Sequence, residues 1–404
     1  MRCNFCFVFA LLLSLSSCSS YMTDQSGFFS KFKRGEYKQA ADLLKEKAEQ
    51  DSKDQILFLL DMGTALFEAG EYNKAIEAFA KAERLTELKD FTSVNEEVVS
   101  VITTDKFKKF IPLDYEKIMI NVYLALSYFM QGKYEDAMVE SRRINNLVYV
   151  LKNKGMKSFE ESPLAWYISA TIYEMQGDYD NARIDYSRVL KIKPDFDQAV
   201  YDMYRCARAS GNSFFASDLE KKYKILDLQK YYKDLCKDCG QVVIVFSSGE
   251  IPIKRQSRHN QMLPEFRTRS YSYGSLDVSF DKKGLAKANV LLDLEAVARK
   301  NLDERIGRIM AKRLLGVGTQ VAIGYGVAKA TDSDALGVIA GLLLHSTTAP
   351  DIRSWSTLPK DFQIARFSLK KGKNLIDIKL TGGVITKELN INPRDVIILP
   401  LRSI

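Results

Sequence analysis

Chemistry in this 404-residue chain would have to draw on six cysteines, two histidines and a few close-set carboxylates. Cys236-Lys237-Asp238-Cys239 is a CxxC pair, which in an oxidising compartment cycles as a dithiol or closes into a disulfide. A redox-active pair of this spacing follows a strand and opens a helix, whose N-terminus lowers the thiol pKa. Here helical periodicity precedes the pair and a β-rich run follows it, so a structural disulfide or unpaired thiols are expected. Zinc needs four ligands, and His259 and His345 are the only histidines available to complete a set. A hydrolytic triad would need one of the same two; His259 lies in a basic loop, His345 ends an apolar helical stretch, and no nucleophile motif points to either. Asp293 with Glu295, and Asp303 with Glu304, read as helix-surface charges that pair with Arg299, Lys300 or Arg308 rather than as a glycosidase dyad. No catalytic residue, metal or cofactor is expected. An envelope redox or hydrolytic enzyme using Cys236/Cys239 or the C-terminal half is the alternative from another class.

The N-terminus carries a different chemistry. Arg2 gives a short positive region, Phe5 to Leu15 is an uncharged apolar run, and Ser16-Ser17-Cys18 follows. Such a run is too short to span a bilayer, which takes about 20 residues, so it reads as a cleaved signal over residues 1–17. Leu15-Ser16-Ser17-Cys18 resembles the bacterial lipobox. That resemblance implies that Cys18 becomes the first mature residue and bears several acyl chains, enough for stable anchoring. Ser19 after the cysteine, in place of Asp, implies the outer membrane, facing the periplasm. Residues 18–27 are then a lipidated tether. Cys3 and Cys6 leave with the signal, so Cys206, Cys236 and Cys239 are the remaining thiols.

The elements behind these residues show in the repeats. Gly-x-Tyr-x-x-Ala recurs at Gly35-Tyr37-Ala40, Gly70-Tyr72-Ala75, Gly132-Tyr134-Ala137 and Gly177-Tyr179-Ala182, with a degenerate copy at Gly211-Ala216. Glycine ends a helix in a tight turn, the aromatic packs between two helices, and alanine lets the next helix approach. The glycine spacings are 35, 62, 45 and 34, which predicts helix pairs interrupted near residues 86–113 and 148–160. In residues 163–196, Trp166, Ala170, Tyr173, Gly177, Tyr179, Ala182, Tyr186 and Pro194 resemble the tetratricopeptide (TPR) pattern, whose period is about 34 residues. The resemblance implies an all-α TPR solenoid over residues 28–235, stable only as a stack.

In TPR proteins the inner helices line a concave groove that holds a partner segment. Carried over position by position, the resemblance places Leu60, Phe67, Val122, Phe129, Tyr167, Met175, Tyr201, Arg205 and Arg208 there. Apolar and aromatic groups with two arginines at one end suit an envelope protein or peptide whose acidic group meets the arginines. The alternative is that these residues pack in cis, against inserted segments or the second half of the chain.

Composition is that of a globular protein, 46% hydrophobic and 27% charged. The formal charge of +8, without a basic arm or nucleic-acid motif, argues against nucleic acid as a partner. Length predicts two domains. The second, over residues 240–404, is expected as an α+β domain with short antiparallel strands. Its elements are a strand at 241–247, a loop to about 273, a strand near 275–280, an amphipathic helix from about 294, and strands near 361–369, 374–380, 384–390 and 395–401. The last four read as hairpins, with a small sandwich as one outcome. Lys254, Arg255, Arg258, Arg267 and Arg269 make the loop a basic patch suited to anionic lipid, cell-wall polymer or an acidic protein. Two Gly-rich apolar stretches, 314–328 and 335–344, read as a helical hairpin, either core or an oligomerising or membrane-dipping element.

Asp351-Ile352-Arg353-Ser354-Trp355-Ser356-Thr357-Leu358-Pro359 follows, with Trp355 expected to anchor a corner in the core. This run resembles the R-S-W-x-x-L-P segment of a group of bacterial TPR lipoproteins. In that group a lipobox, a TPR array, an Asp-Leu-Glu-Ala helix start (here Asp293-Leu294-Glu295-Ala296) and a β-rich end occur in the same order. That group supplies no established activity; the TPR array and the scarcity of catalytic groups read as a protein-binding scaffold rather than an enzyme. Similar proteins tend to be encoded beside lipoproteins that activate peptidoglycan synthases, which implies a role in cell-envelope assembly by association.

Overall fold

The structure, a computed structural model, describes residues 21–96, 109–153, 162–233, 238–259, 263–270, 276–280, 284–306, 350–380 and 383–403. Cys18, Cys236, His345 and the Gly-rich stretches at 314–328 and 335–344 lie outside these residues.

Helices α1 (Tyr21–Asp24), α2 (Ser26–Lys33), α3 (Tyr37–Glu49), α4 (Gln55–Glu68), α5 (Tyr72–Glu96), α6 (Asp114–Met130), α7 (Tyr134–Asn153), α8 (Pro163–Met175), α9 (Tyr179–Ile192), α10 (Asp197–Ala209), α11 (Ser213–Lys222) and α12 (Leu228–Lys233) build the N-terminal half. Five helix pairs stack in order, from α2/α3 to α10/α11, and the glycine between the members of each pair sets the turn. Gly35, Gly70, Gly132, Gly177 and Gly211 all sit at φ between +69° and +76°. The amide after each bonds back across the turn, as Glu36 N–H does to Lys31 O at 3.0 Å and Glu71 N–H to Leu66 O at 2.9 Å, the Schellman closure that favours glycine. Tyr37, Tyr72 and Tyr134 pack edge-on or tilted against Phe32, Phe67 and Phe129 at 5.2, 5.5 and 5.3 Å. Ala40, Ala75, Ala137, Ala182 and Ala216 are buried where the second helix closes on the first. The interruptions are shorter than their expected bounds, because α5 continues to Glu96 and α7 to Asn153.

Residues 21–27, expected as part of a tether, are largely helical, with Tyr21 and Gln25 buried and Thr23, Asp24, Ser26 and Gly27 exposed. Tyr21 is buried between Phe29 and Phe58, and its hydroxyl donates to Asp61 at 2.9 Å.

The C-terminal half is a sandwich of two four-stranded sheets. One has the order β10 (Val396–Ser403), β1 (Cys239–Ser248), β7 (Asp361–Lys370), β6 (Asn289–Asp293); the other runs β5 (Gly284–Lys287), β4 (Asp277–Phe280), β8 (Gly372–Leu380), β9 (Gly383–Ile391). Only β8 and β9, among the last four strands, form the expected hairpin. At Gly372 the chain leaves one sheet for the other, and β10 returns to lie parallel to β1. The expected loop to residue 273 contains a short hairpin, β2 (Ile253–Gln256) with β3 (Pro264–Arg267). A helix, α13, spans 294–306 of the described residues, and Asp293 caps it by accepting the Ala296 N–H at 2.9 Å.

The continuous apolar run of β1 follows from burial on both faces. Val242, Ile244 and Phe246 meet the second sheet, with Ile376 and Ile378. Val243 and Val245 face the helical array and share one core with it, from Phe28 to Ile398. The halves are therefore joined by a common core.

Candidate partner-binding groove

The inner helices α4, α6, α8 and α10 carry the residues expected in the groove, and other parts of the chain pack against them. Leu60, Phe67, Val122, Phe129, Tyr167 and Arg205 are all buried, Met175 and Tyr201 are half-buried, and Arg208 is exposed. Phe67 and Phe129 serve the turn between paired helices, where they meet Tyr72 and Tyr134. Tyr201 packs tilted against Tyr231 at 4.5 Å, and Arg208 lies over the Tyr232 ring at 5.2 Å. Six of the nine residues expected to line a groove are thus buried within the chain, and three keep exposed or half-exposed surface.

Two insertions close the groove. The first is the Trp355 segment, which enters between α4 and α6. The Trp355 ring is fully buried, 5.7 Å from Phe79 and 5.6 Å from Tyr123. Its Nε1–H donates to Thr64 Oγ1 at 3.0 Å and Thr357 Oγ1 at 2.9 Å, and its backbone N–H donates to Glu116 Oε1 at 2.7 Å. Thr357 in turn donates to Asp61 at 2.7 Å, completing the Tyr21–Asp61–Thr357 chain. At the segment's start the Arg353 guanidinium spans Asp351 and Asp54, at 2.7 and 2.6 Å. A buried polar group is costly unless bonded, and this segment meets that requirement with partners on the array.

The second insertion is Arg366 of β7. It reaches both carboxylate oxygens of Glu174 at 2.8 and 2.9 Å and the Tyr186 hydroxyl at 2.9 Å. Arg205 holds the same carboxylate at 2.9 and 2.8 Å and donates to Asp202 at 2.9 Å. Tyr167 also donates to Asp202, at 2.7 Å. Two guanidinium groups and two carboxylates thus form a charge-balanced cluster with no side chain more than 10% exposed. The acid expected to meet Arg205 belongs to the array itself.

Electrostatics at this seam run in two directions. Burial would raise the Glu174 carboxyl, but the guanidinium groups of Arg205 and Arg366 outweigh it and hold the group at about 2. Asp61 is pushed up to about 7 by burial, against hydrogen bonds from Thr357 and Tyr21. Glu68 is also pushed up to about 7 by burial; its cation, Arg402, stands 3.9 Å away.

The groups weighed for catalysis are spread out. Cys239 is disulfide-bonded, and Cys206 is a buried free thiol whose pKa burial raises. His259 is exposed. Glu295 pairs with Arg299 at 2.8 Å as expected, but it is buried rather than on the helix surface, and it also accepts from the Thr268 hydroxyl at 2.9 Å. Among the described residues no group of His, Cys, Asp or Glu could hold a metal ion, and no helix is long and apolar enough to cross a membrane.

An open cleft of about 350 Å³ remains where α6, the α9–α10 turn, β6 and α13 meet. Met119, Pro194, Leu292, Ala296 and Val297 line it, with Lys193 and Lys300 among its polar residues.

Helices α8 and α9 carry the repeat in fullest form, with Ala170, Ala182 and Tyr186 buried at their contact and Gly177 at φ +76° between them. Residues 163–196 match the tetratricopeptide repeat. The TPR array is also similar in fold to solved structures of low sequence identity. MamA is 18% identical with a TM-score of 0.34, covering 52% of this chain and 92% of that one. BtubC of P. vanneervenii is 13% identical at 0.36, covering 51% and 78%. A Podospora anserina putative kinesin light chain of TPR-like repeats is 13% identical at 0.36, covering 53% and 97%. No curated protein sequence matches the chain.

The residues that close the groove carried a partial signal. Asp61 and Thr64 stand one turn apart in the mostly apolar middle of α4, and Glu116 lies in the first turn of α6, ahead of an apolar run. Polar groups on a buried helix face demand partners, although the sequence does not say which.

Proposed function

We propose that the protein is a lipid-anchored scaffold of the bacterial outer membrane that binds envelope proteins on its periplasmic side, in cell-envelope or peptidoglycan assembly, and that it is not an enzyme. The lipobox-like Leu15-Ser16-Ser17-Cys18 supports the anchor, and the repeat supports protein binding, the usual work of stacked helix pairs. The observation that carries the reading is the filled groove: a TPR array whose concave face already holds Ser354–Leu358 offers partners its outer surface. The cleft beside Ala296 and Val297 is the concave, apolar part of that surface, sized for the side chains of an apolar partner segment.

A photo-crosslinking residue at position 296 tests this in intact cells, with one at the exposed position 214 as control. Crosslinks to an envelope protein from position 296, absent from position 214 and lost with Val297→Arg, are expected. Equal patterns from both positions would rule out the cleft. In the same cells Cys18→Ser is expected to move the protein from the membrane to the soluble fraction; a variant that stays in the membrane contradicts the anchor.

A further inference from the structure

We infer that the β2–β3 hairpin and the α1 end of the array rest directly on the bilayer that holds the anchor, with Arg258 and Arg267 against anionic phospholipid headgroups. This inference rests on the lipid-anchor reading of Cys18 and adds to it an orientation and a contact surface.

Chain length makes the first argument. Tyr21 is packed and hydrogen-bonded to Asp61, so the folded body begins three residues after Cys18. Three residues span at most about 11 Å even when fully extended. An acylated Cys18 would therefore hold the surface around Tyr21 within about a Debye length of the headgroups, with no room for the body to turn freely.

Charge makes the second. Arg269 ties the hairpin to this end of the molecule: its NH2 lies 4.0 Å from the Met22 sulfur, and it pairs with Glu250, which also binds Lys33 at 3.0 Å. Most cations of the basic stretch are committed. Arg255 pairs with Glu265 at 2.7 Å, Arg269 with Glu250, and Lys254 is buried. Arg258 and Arg267 are exposed, and neither forms an ion pair among the described residues. Ile253 pairs with Arg267 in the hairpin, so Arg267 stands two residues from Arg269 and the Met22 contact. Guanidinium groups suit phosphate oxygens, and basic residues next to a membrane anchor add binding to anionic lipid.

The test uses the full-length acylated protein, reconstituted into vesicles of phosphatidylethanolamine and phosphatidylglycerol that carry a headgroup nitroxide quencher. Fluorophores are attached at Ser270→Cys, beside the hairpin, or at Phe214→Cys, in the last repeat; both positions are exposed. Strong quenching at 270 with little at 214 is expected. Arg258→Glu with Arg267→Glu is expected to lower the quenching at 270 at least twofold while the protein still floats with the vesicles. Equal quenching at both positions, or no effect of the charge reversal at low salt, overturns the inference while leaving the anchor intact. A wild-type protein that fails to float and has an unmodified Cys18 by mass spectrometry overturns both.

Discussion

The backbone N–H of Trp355 donates to the buried carboxylate of Glu116 at 2.7 Å, joining residues 239 positions apart in sequence. Glu116 is fully buried at the start of α6, where it also accepts the Leu113 N–H at 2.6 Å. One side chain therefore fixes the start of an inner TPR helix and the segment that fills the groove. Other polar groups of the array are satisfied from the C-terminal half in the same way, Asp61 by Thr357 and Glu174 by Arg366.

Trp355→Ala is expected to destabilise the protein by about 3–5 kcal/mol, because it empties a fully enclosed site against Phe79 and Tyr123. Trp355→Phe keeps much of the ring volume but leaves Thr64 and Thr357 without the indole donor, and about 1–3 kcal/mol is expected. Urea denaturation of both variants checks the order; equal losses would mean that the indole N–H contributes nothing.

Arg366→Met removes one of two cations from a cluster with two carboxylates. A loss of about 3–5 kcal/mol is expected, since Glu174 and Asp202 stay buried with Arg205 alone. Arg366→Lys is expected to recover only part of this, because an ammonium cannot reproduce the paired contacts to Glu174 and the bond to Tyr186. Full recovery with lysine would show that charge alone matters.

Gly63 is fixed by space. A Cβ there would lie 2.7 Å from the Phe79 ring, across the α4–α5 contact. Gly63→Ala is expected to cost about 1–3 kcal/mol, with Phe79→Leu in the same chain restoring part of it. Thermal denaturation of the single and double variants measures the coupling, and simple additivity would contradict the contact.

Stability should vary with pH in opposite senses at two places in the seam. Asp61 and Glu68 have carboxyls raised to about 7 by burial, above an unfolded value of about 4. Their contribution is full below the unfolded pKa and is lost as pH rises through about 7. Glu174, held at about 2, contributes fully above the unfolded value and loses that contribution as pH falls toward 2. Stability is therefore expected to peak in the mildly acidic range. Asp61→Asn is expected to flatten the decline between about pH 4 and 7 in denaturation midpoints; an unchanged slope would show that Asp61 does not contribute to it.

Much of the array was legible because its signals are local. Gly-x-Tyr-x-x-Ala fits a left-handed turn, a ring contact and a close helix approach within six residues; all five glycines take the left-handed turn and all five alanines are buried, and the first three tyrosines make the ring contact. Strand β1 was legible from five consecutive apolar residues. The β2–β3 hairpin was hidden because its two four-residue strands, Ile253–Gln256 and Pro264–Arg267, hold few apolar residues, and because the charges beside its buried Lys254, Asp351 and Glu116, lie elsewhere in the chain. The assignment of β7 to one sheet and β8 to the other was hidden as well, since Lys371-Gly372-Lys373 serves equally for a hairpin or a crossing. The filled groove depends on pairings such as Arg353 with Asp54 and Arg366 with Glu174, which local pattern cannot supply. What could be read was the need: Asp61, Thr64 and Glu116 stand on buried faces and must be bonded.

Hydrogen exchange at the Trp355 amide tests most directly whether the groove is permanently filled by the chain itself. In a permanently filled groove this amide exchanges only through global unfolding, with the same denaturant dependence as the slowest amides of α4 and α6. Exchange through a local opening, while those helices stay protected, would contradict it and show a segment that leaves the groove and frees it for a partner.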